Sequence, residues 1–224
     1  MNQLCGDLIA VPMVNVYGII YNTRYLPDRR DLNRSFPGSK KGALAERLAE
    51  LFMSEVVTKC THGIDLHTGA THRSNLPQIR ADLDHAETLV LAKSFNASVL
   101  LNAGLRDGSL LQAATQAGIP ILLYEGGEAL RFDETAIRTG LQGILDVMQH
   151  LNMLSAEKTR KPALTKPFIA YHSQWIRASG SGIFSATKLL GDSIQRDAVV
   201  GVINDPFPSQ EIPVIAPCND LIIG

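Results

Sequence analysis

The stretch Ile119-Pro120-Ile121-Leu122-Leu123-Tyr124-Glu125-Gly126-Gly127 decides the fold. Its apolar run has the length of a buried strand and ends at a carboxylate followed by two glycines. Immediately before it, residues 109–118 read as a helix, with Ser109 as a start signal and Gly118 at its end. Beyond it, residues 133–151 read as a long helix. Ile137, Leu141, Ile144, Leu145, Met148 and Leu151 recur there at helical spacing and are the expected buried stripe. A strand held between two helices points to an α/β domain with a parallel or mixed sheet.

The same alternation extends outward. Residues 98–101 read as a strand and residues 82–95 as a helix. Residues 63–66 form another strand, stopping at His67-Thr68-Gly69. Residues 42–57 carry Leu44, Leu48, Leu51, Phe52 and Val56 at helical spacing and predict an amphipathic helix. Residues 8–15 (LIAVPMVN) read as a buried strand. Two polar stretches interrupt the pattern, residues 18–41 and 70–77. Long polar excursions of this kind are often functional. After a polar link at residues 152–166, short apolar runs at 168–171, 181–187, 198–202, 212–216 and 221–223 are separated by Gly, Pro, Asn and Asp. They predict a small all-β module. The expected organisation is an α/β domain over residues 1–160 and a β domain over residues 161–224.

Composition narrows the function. Lys and Arg number 21, Asp and Glu 22, a net charge of −1, which offers no electrostatic footprint to nucleic acid. No apolar run approaches the roughly 18 residues that a membrane span requires. The N-terminus shows no basic stretch ahead of an apolar one, so no signal peptide is read there. Three widely spaced cysteines, Cys5, Cys60 and Cys218, suit free thiols in a reducing compartment, and the expected location is cytoplasmic. Homo-oligomerisation is left open.

Several residues could carry chemistry. Asp65 and His67 lie two apart on a strand and share a face, so the carboxylate can orient the imidazole and raise its basicity. His62 sits three residues from Asp65, a poor spacing for a shared strand face. Arg24, Asn33 and Arg34 stand in the first polar stretch. Guanidinium forks and a carboxamide suit an anionic ligand. Glu125 follows an apolar run and precedes two glycines that would permit close approach of a ligand. A carboxylate so placed can serve as a general base. Glu128 is its competitor. Gly126-Gly127 is no phosphate loop, because neither GxGxxG nor GxxxxGK[ST] occurs.

These strings, taken in order, resemble the succinylglutamate desuccinylase and aspartoacylase family, relatives of the zinc carboxypeptidases. The resemblance rests on Val11-Pro12 with Asn15 and Gly18, then Arg24-Tyr25-Leu26-Pro27-Asp28. It continues through Asp31-Leu32-Asn33-Arg34, Phe36-Pro37-Gly38, Asp65-Leu66-His67-Thr68-Gly69 and Tyr124-Glu125-Gly126-Gly127. In the C-terminal region, Asn204-Asp205-Pro206-Phe207 and Val214-Ile215-Ala216-Pro217 fit the family's small β domain.

The resemblance implies a three-layer α/β/α domain with a central mixed sheet, plus that β domain. It implies one zinc ion held by two histidines and a glutamate, with His67 matching the second histidine. It implies that Arg24, Asn33 and Arg34 bind substrate and that Glu125 activates water. The implied reaction is hydrolysis of the amide bond of a small N-acyl amino acid or a related anionic acyl compound. The family's first histidine and its glutamate lie in an upstream HxxE string, and Met1–Asp7 contains neither residue type. The chain therefore reads as an internal piece of a longer enzyme, with weak or absent zinc binding of its own. The competing expectation is an inactive small-molecule binding or structural protein built on the same fold.

Overall fold

The computed structural model describes residues 4–104, 106–155, 166–205 and 211–224. Its helices are α1 (Val16–Tyr21), α2 (Leu44–Glu55), α3 (Ala86–Ser94), α4 (Leu110–Gln116) and α5 (Glu134–His150). Its first five strands are β1 (Gly63–Gly69), β2 (Asn75–Ala81), β3 (Val99–Asn102), β4 (Ile121–Glu128) and β5 (Phe168–Ala170). These form one mixed sheet in the order β1-β4-β2-β3-β5. β1 and β4 are parallel, β2 runs antiparallel to β4, and β3 and β5 follow β2 in parallel.

Strand alternation divides the sheet into two chemical faces. On one face Ile64, Leu122, Tyr124, Ile79, Ala81 and Leu100 meet α3 and α5 through Leu91, Ala92, Phe95 and Val147. On the other, Ile121 packs with Ala45, Ala49 and Met53 of α2 and with Leu110, Leu111, Ala113 and Ala114 of α4. Two helix layers sandwich the sheet, as the resemblance implies. The second face also carries Asp65 and His67 from β1, Leu123 and Glu125 from β4, and Gln78 and Arg80 from β2.

The predicted stripe of α5 holds at Met148, which is buried, and at Ile144 and Leu151, which pack against the core, but not at Ile137 and Leu141. The buried residues of this helix include Ala136, Gly140, Gly143 and Val147, whereas Ile137 and Leu141 are exposed. The helix approaches through its glycines because two aromatic rings occupy the space. A Cβ on Gly140 would lie 3.1 Å from Cε1 of Tyr124, and one on Gly143 would lie 2.1 Å from Cε1 of Phe95. The rings of Phe95 and Tyr124 stack with centroids 5.3 Å apart. In α2 the fully buried positions are Ala45, Ala49 and Met53, the predicted Leu44, Leu48 and Phe52 pack against the same core, and Leu51 is exposed.

Residues 8–15 are not a buried strand. They form no regular element, and Leu8, Ile9, Val11 and Met13 are exposed. An apolar run becomes a sheet strand only where an edge pairs with it. β1 is an edge strand of the sheet, and residues 8–15 are not its partner. The stretch after them contains α1, capped by Asn15, whose Oδ1 accepts the Gly18 N–H at 3.0 Å.

The segment near residue 168 departs from its expected place as well. β5 pairs in parallel with β3, Val99 opposite Phe168, and so extends the main sheet. The antiparallel C-terminal strands follow it: β6 (Ile183–Ala186), β7 (Ser193–Ile194), β8 (Val199–Asn204), β9 (Glu211–Ile215) and β10 (Asp220–Leu221). They make a three-stranded sheet β6-β8-β9 and a two-stranded sheet β7-β10 around Ile194, Val200, Ile203, Val214 and Ala216.

Candidate active site

On the side of the first polar stretch that holds Arg24 and Asn33, Asp31 is the organising carboxylate. Asp31 Oδ1 accepts the Asn33 N–H at 2.9 Å, and Asp31 Oδ2 accepts from Nε of Arg24 at 2.7 Å. A 3-10 turn at Leu32–Arg34 buries Leu32 and turns Asn33 toward α4. There Asn33 Oδ1 accepts the Leu110 N–H at 2.8 Å, satisfying one of the donors a helix start leaves free. Arg34 donates an Nη1 hydrogen bond to the Asn33 carbonyl. Leu26, Leu32 and Phe36 anchor the stretch in the core beneath α2 and α4. A segment without apolar periodicity is thereby held in one shape.

The sheet supplies the other half. His67 and Glu125 lie inside β1 and β4 rather than after them, and they are direct partners in the parallel register. His67 Nε2 lies 2.9 Å from Asp65 Oδ2, with the imidazole side chain 29% exposed and the carboxylate 18%. Burial works against a charged ring. The hydrogen bond and charge of Asp65, joined by the charge of Glu125, outweigh it and the opposing Arg24, and the His67 pKa is raised. With Nε2 turned to Asp65, Nδ1 is the nitrogen left for a ligand. On the other flank of Glu125, Arg80 Nη1 approaches Oε2 at 3.2 Å, and the Glu125 side chain is 13% exposed.

Arg24, Asn33, Arg34, His67 and Glu125 all line one cavity of about 400 Å³. Asp65 stands behind His67 rather than in the lining. Glu128, the competing carboxylate, does not line this cavity. Its Oε1 accepts the His72 N–H at 2.9 Å and its Oε2 meets Nε of Arg131 at 3.3 Å, away from the cavity. The two glycines after Glu125 also serve the packing of α5. Gly127 has φ +70, and a Cβ there would press on Asp133 and Ala136 at the start of α5. They let that helix begin close against β4. His62 lies elsewhere, 3.4 Å from Glu87.

The cavity also holds residues the sequence reading passed over. Gln78 and Arg80 project from β2, a strand that starts within the second polar stretch and runs past its end. Their signal is period-two alternation, Gln78 and Arg80 against buried Ile79 and Ala81. Arg73 and Arg106 add two more guanidinium groups to the lining. Trp175 enters from the segment after β5 and carries the Arg73 guanidinium 4.9 Å from its ring centroid, a cation–π contact at the cavity wall. No sequence pattern pairs residues so far apart.

The donor set bears on the implied zinc. Among the described residues no group of three or more His, Cys, Asp or Glu side chains converges as a metal site. His67 brings one free ring nitrogen, whereas catalytic zinc takes three protein ligands. The described residues therefore do not make a zinc site by themselves.

Fold and cavity together describe an α/β/α protein whose sheet presents a carboxylate-backed imidazole and a largely buried glutamate to an arginine-lined, ligand-sized cavity. The family model for the succinylglutamate desuccinylase/aspartoacylase catalytic domain matches residues 1–151, and the chain belongs to that family. An N-alpha-acetyl-L-2,4-diaminobutyric acid deacetylase from Halomonas elongata is 27% identical over 93% of this chain. The chain spans 64% of that relative's length. Among solved structures, the product-bound ectoine utilization protein EutE (DoeB) from Ruegeria pomeroyi superposes with a TM-score of 0.86 at 21% identity, covering 99% of this chain and 70% of that one. A succinylglutamate desuccinylase/aspartoacylase from Rhodobacter sphaeroides gives 0.82 at 23% identity, over 96% and 68%. At these identities the structural likeness speaks to the fold.

Proposed function

We propose that this protein serves amide-bond hydrolysis of a small N-acyl amino acid or related anionic acyl compound. The observation that carries the reading is the meeting of Arg24, Asn33, Arg34, His67 and Glu125 in one cavity from distant parts of the chain. The arginine forks and the free amide N–H groups of Asn33 hold the substrate carboxylate and carbonyl. Glu125, held by Arg80, takes a proton from the attacking water and returns it to the leaving amine. Asp65 fixes the His67 ring through Nε2, which leaves Nδ1 for a ligand. Zinc enters this reading as an ion of the complete enzyme to which His67 lends one nitrogen. The described residues bring no group of three metal ligands together, so on this reading the chain alone binds zinc weakly. The three cysteines without a disulfide support a cytoplasmic setting. No helix among the described residues is long and apolar enough to cross a membrane.

The incomplete donor set favours one second reading, a binding protein that holds the acylated amino acid without cleaving it. The comparison of Glu125 with Glu125→Gln, in the chain joined to the family's upstream HxxE segment and in the presence of zinc, decides. Hydrolysis that is lost in the variant while ligand affinity stays supports the deacylase. Binding without turnover in either protein supports the second reading.

A further inference from the structure

Gln78 is 2% exposed and lines the cavity, yet its Oε1 has no hydrogen-bond partner among the described residues. Two residues on, Nε of Arg80 is also buried and unpartnered, although its Nη1 group reaches Glu125. An acceptor and a donor left unpaired side by side are costly unless something completes them. Their position indicates what that is. Gln78 is the direct cross-strand partner of Glu125, and Arg80 is the partner of Leu123 on the same face. Side chains so paired start about 5 Å apart. A ligand atom within reach of the base is therefore also near the Gln78 carboxamide.

The charge of the cavity selects the ligand group. Arg24, Arg34, Arg73, Arg80 and Arg106 line it against the carboxylate of Glu125. A cationic ammonium beside Gln78 would face that excess of positive charge. A neutral N–H donor would not. The group that offers a neutral N–H together with an oxygen is an amide.

We propose that Gln78 is a specificity-determining residue that accepts the N–H of the substrate's scissile amide, with Arg80 Nε donating to an oxygen of the same ligand. This rests on the deacylase reading and deepens it. The site then distinguishes an N-acyl amino acid from the matching O-acyl hydroxy acid, an ester that lacks the N–H. Sites built around a buried hydrogen bond reject analogues that leave it unmade.

The test is calorimetric titration of the full chain, wild type and Gln78→Met, with N-acetyl-L-glutamate and its ester analogue O-acetyl-2-hydroxyglutarate. Methionine keeps the volume and removes the polar atoms. The wild type is expected to bind the amide about tenfold more tightly than the ester, the scale of one hydrogen bond. In Gln78→Met the amide loses that advantage while the ester affinity stays, and the melting temperature does not fall. Gln78→Leu repeats the test should methionine not fold. A wild type that binds both ligands equally, or a variant that keeps the preference, overturns the assignment and leaves the deacylase reading standing. A lower melting temperature with an unchanged preference shows that Gln78 is satisfied by Arg80 or by internal water, and also overturns it. Failure of the wild type to bind either ligand overturns the assignment together with the substrate reading.

Discussion

Asn33 is given two tasks, and two substitutions separate them. Its Oδ1 accepts the Leu110 N–H at 2.8 Å, and the residue lines the cavity. Leu110 is 7% exposed, so in Asn33→Ala water does not easily replace the lost acceptor. An unsatisfied buried N–H costs about 1–3 kcal/mol, and loss of a helix-start acceptor typically about 1 kcal/mol. We expect a loss of about 1–2 kcal/mol. For a chain of this size that is a fall of about 3–6 °C in melting temperature. Asn33→Asp keeps an oxygen for Leu110 and places a negative charge at the start of α4, where charge is tolerated or favoured. Its stability should stay within about 0.5 kcal/mol of wild type. It removes the donor for the substrate and sets an anion beside Arg24 and Arg34, so affinity for an acylated amino acid should fall by at least about tenfold. Urea denaturation gives the first quantity and calorimetric titration the second. Full stability in Asn33→Ala would refute the Leu110 contact. Unchanged affinity in Asn33→Asp would refute the substrate role.

Two further outcomes follow from the packing and the charges. Gly143→Ala should destabilise the protein by about 1–3 kcal/mol in urea, because overpacking against the buried Phe95 ring outweighs the roughly 1 kcal/mol of helix propensity that alanine brings; a neutral or stabilising effect would contradict the close approach of α5. The raised His67 pKa means the folded state favours the protonated ring. The stability that the Asp65–His67 pair contributes is therefore fully present below about pH 6.5, the unfolded value, and is lost as pH rises through the higher folded value. The gap in urea stability between wild type and Asp65→Asn should shrink as pH rises, and a gap that widens would contradict the pairing.

Legibility from sequence follows what apolar periodicity can express. β4 and its flanking helices are readable because Ile121–Glu128 is bounded by Ser109-capped α4 and Asp133-capped α5. The contact face of α5 is only partly readable, because Gly140 and Gly143 pack through the absence of a side chain. β2 is masked by Pro77, a residue that argues against a strand. The structure accommodates it where the β2–β4 register shifts, between Asn75 and Gln78. Residues 8–15 show the converse: apolar content without a pairing edge makes no strand. In the site, Arg24, Asn33, Arg34, His67 and Glu125 were visible through ordered motifs that resemble a family. Gln78, Arg73 and Trp175 belong to no such string and are joined to the site only by tertiary packing.

The central claim is that Glu125 acts as a base on an acylated amino acid held in the arginine-lined cavity. Its most direct measurement is zinc-replete turnover of N-acetyl-L-glutamate by the chain joined to the family's upstream HxxE segment, with Glu125 and with Glu125→Gln, ligand affinity being determined for both. The account predicts turnover that falls about 10²–10⁴-fold in the variant, with affinity nearly unchanged. Equal turnover in the two proteins would contradict it.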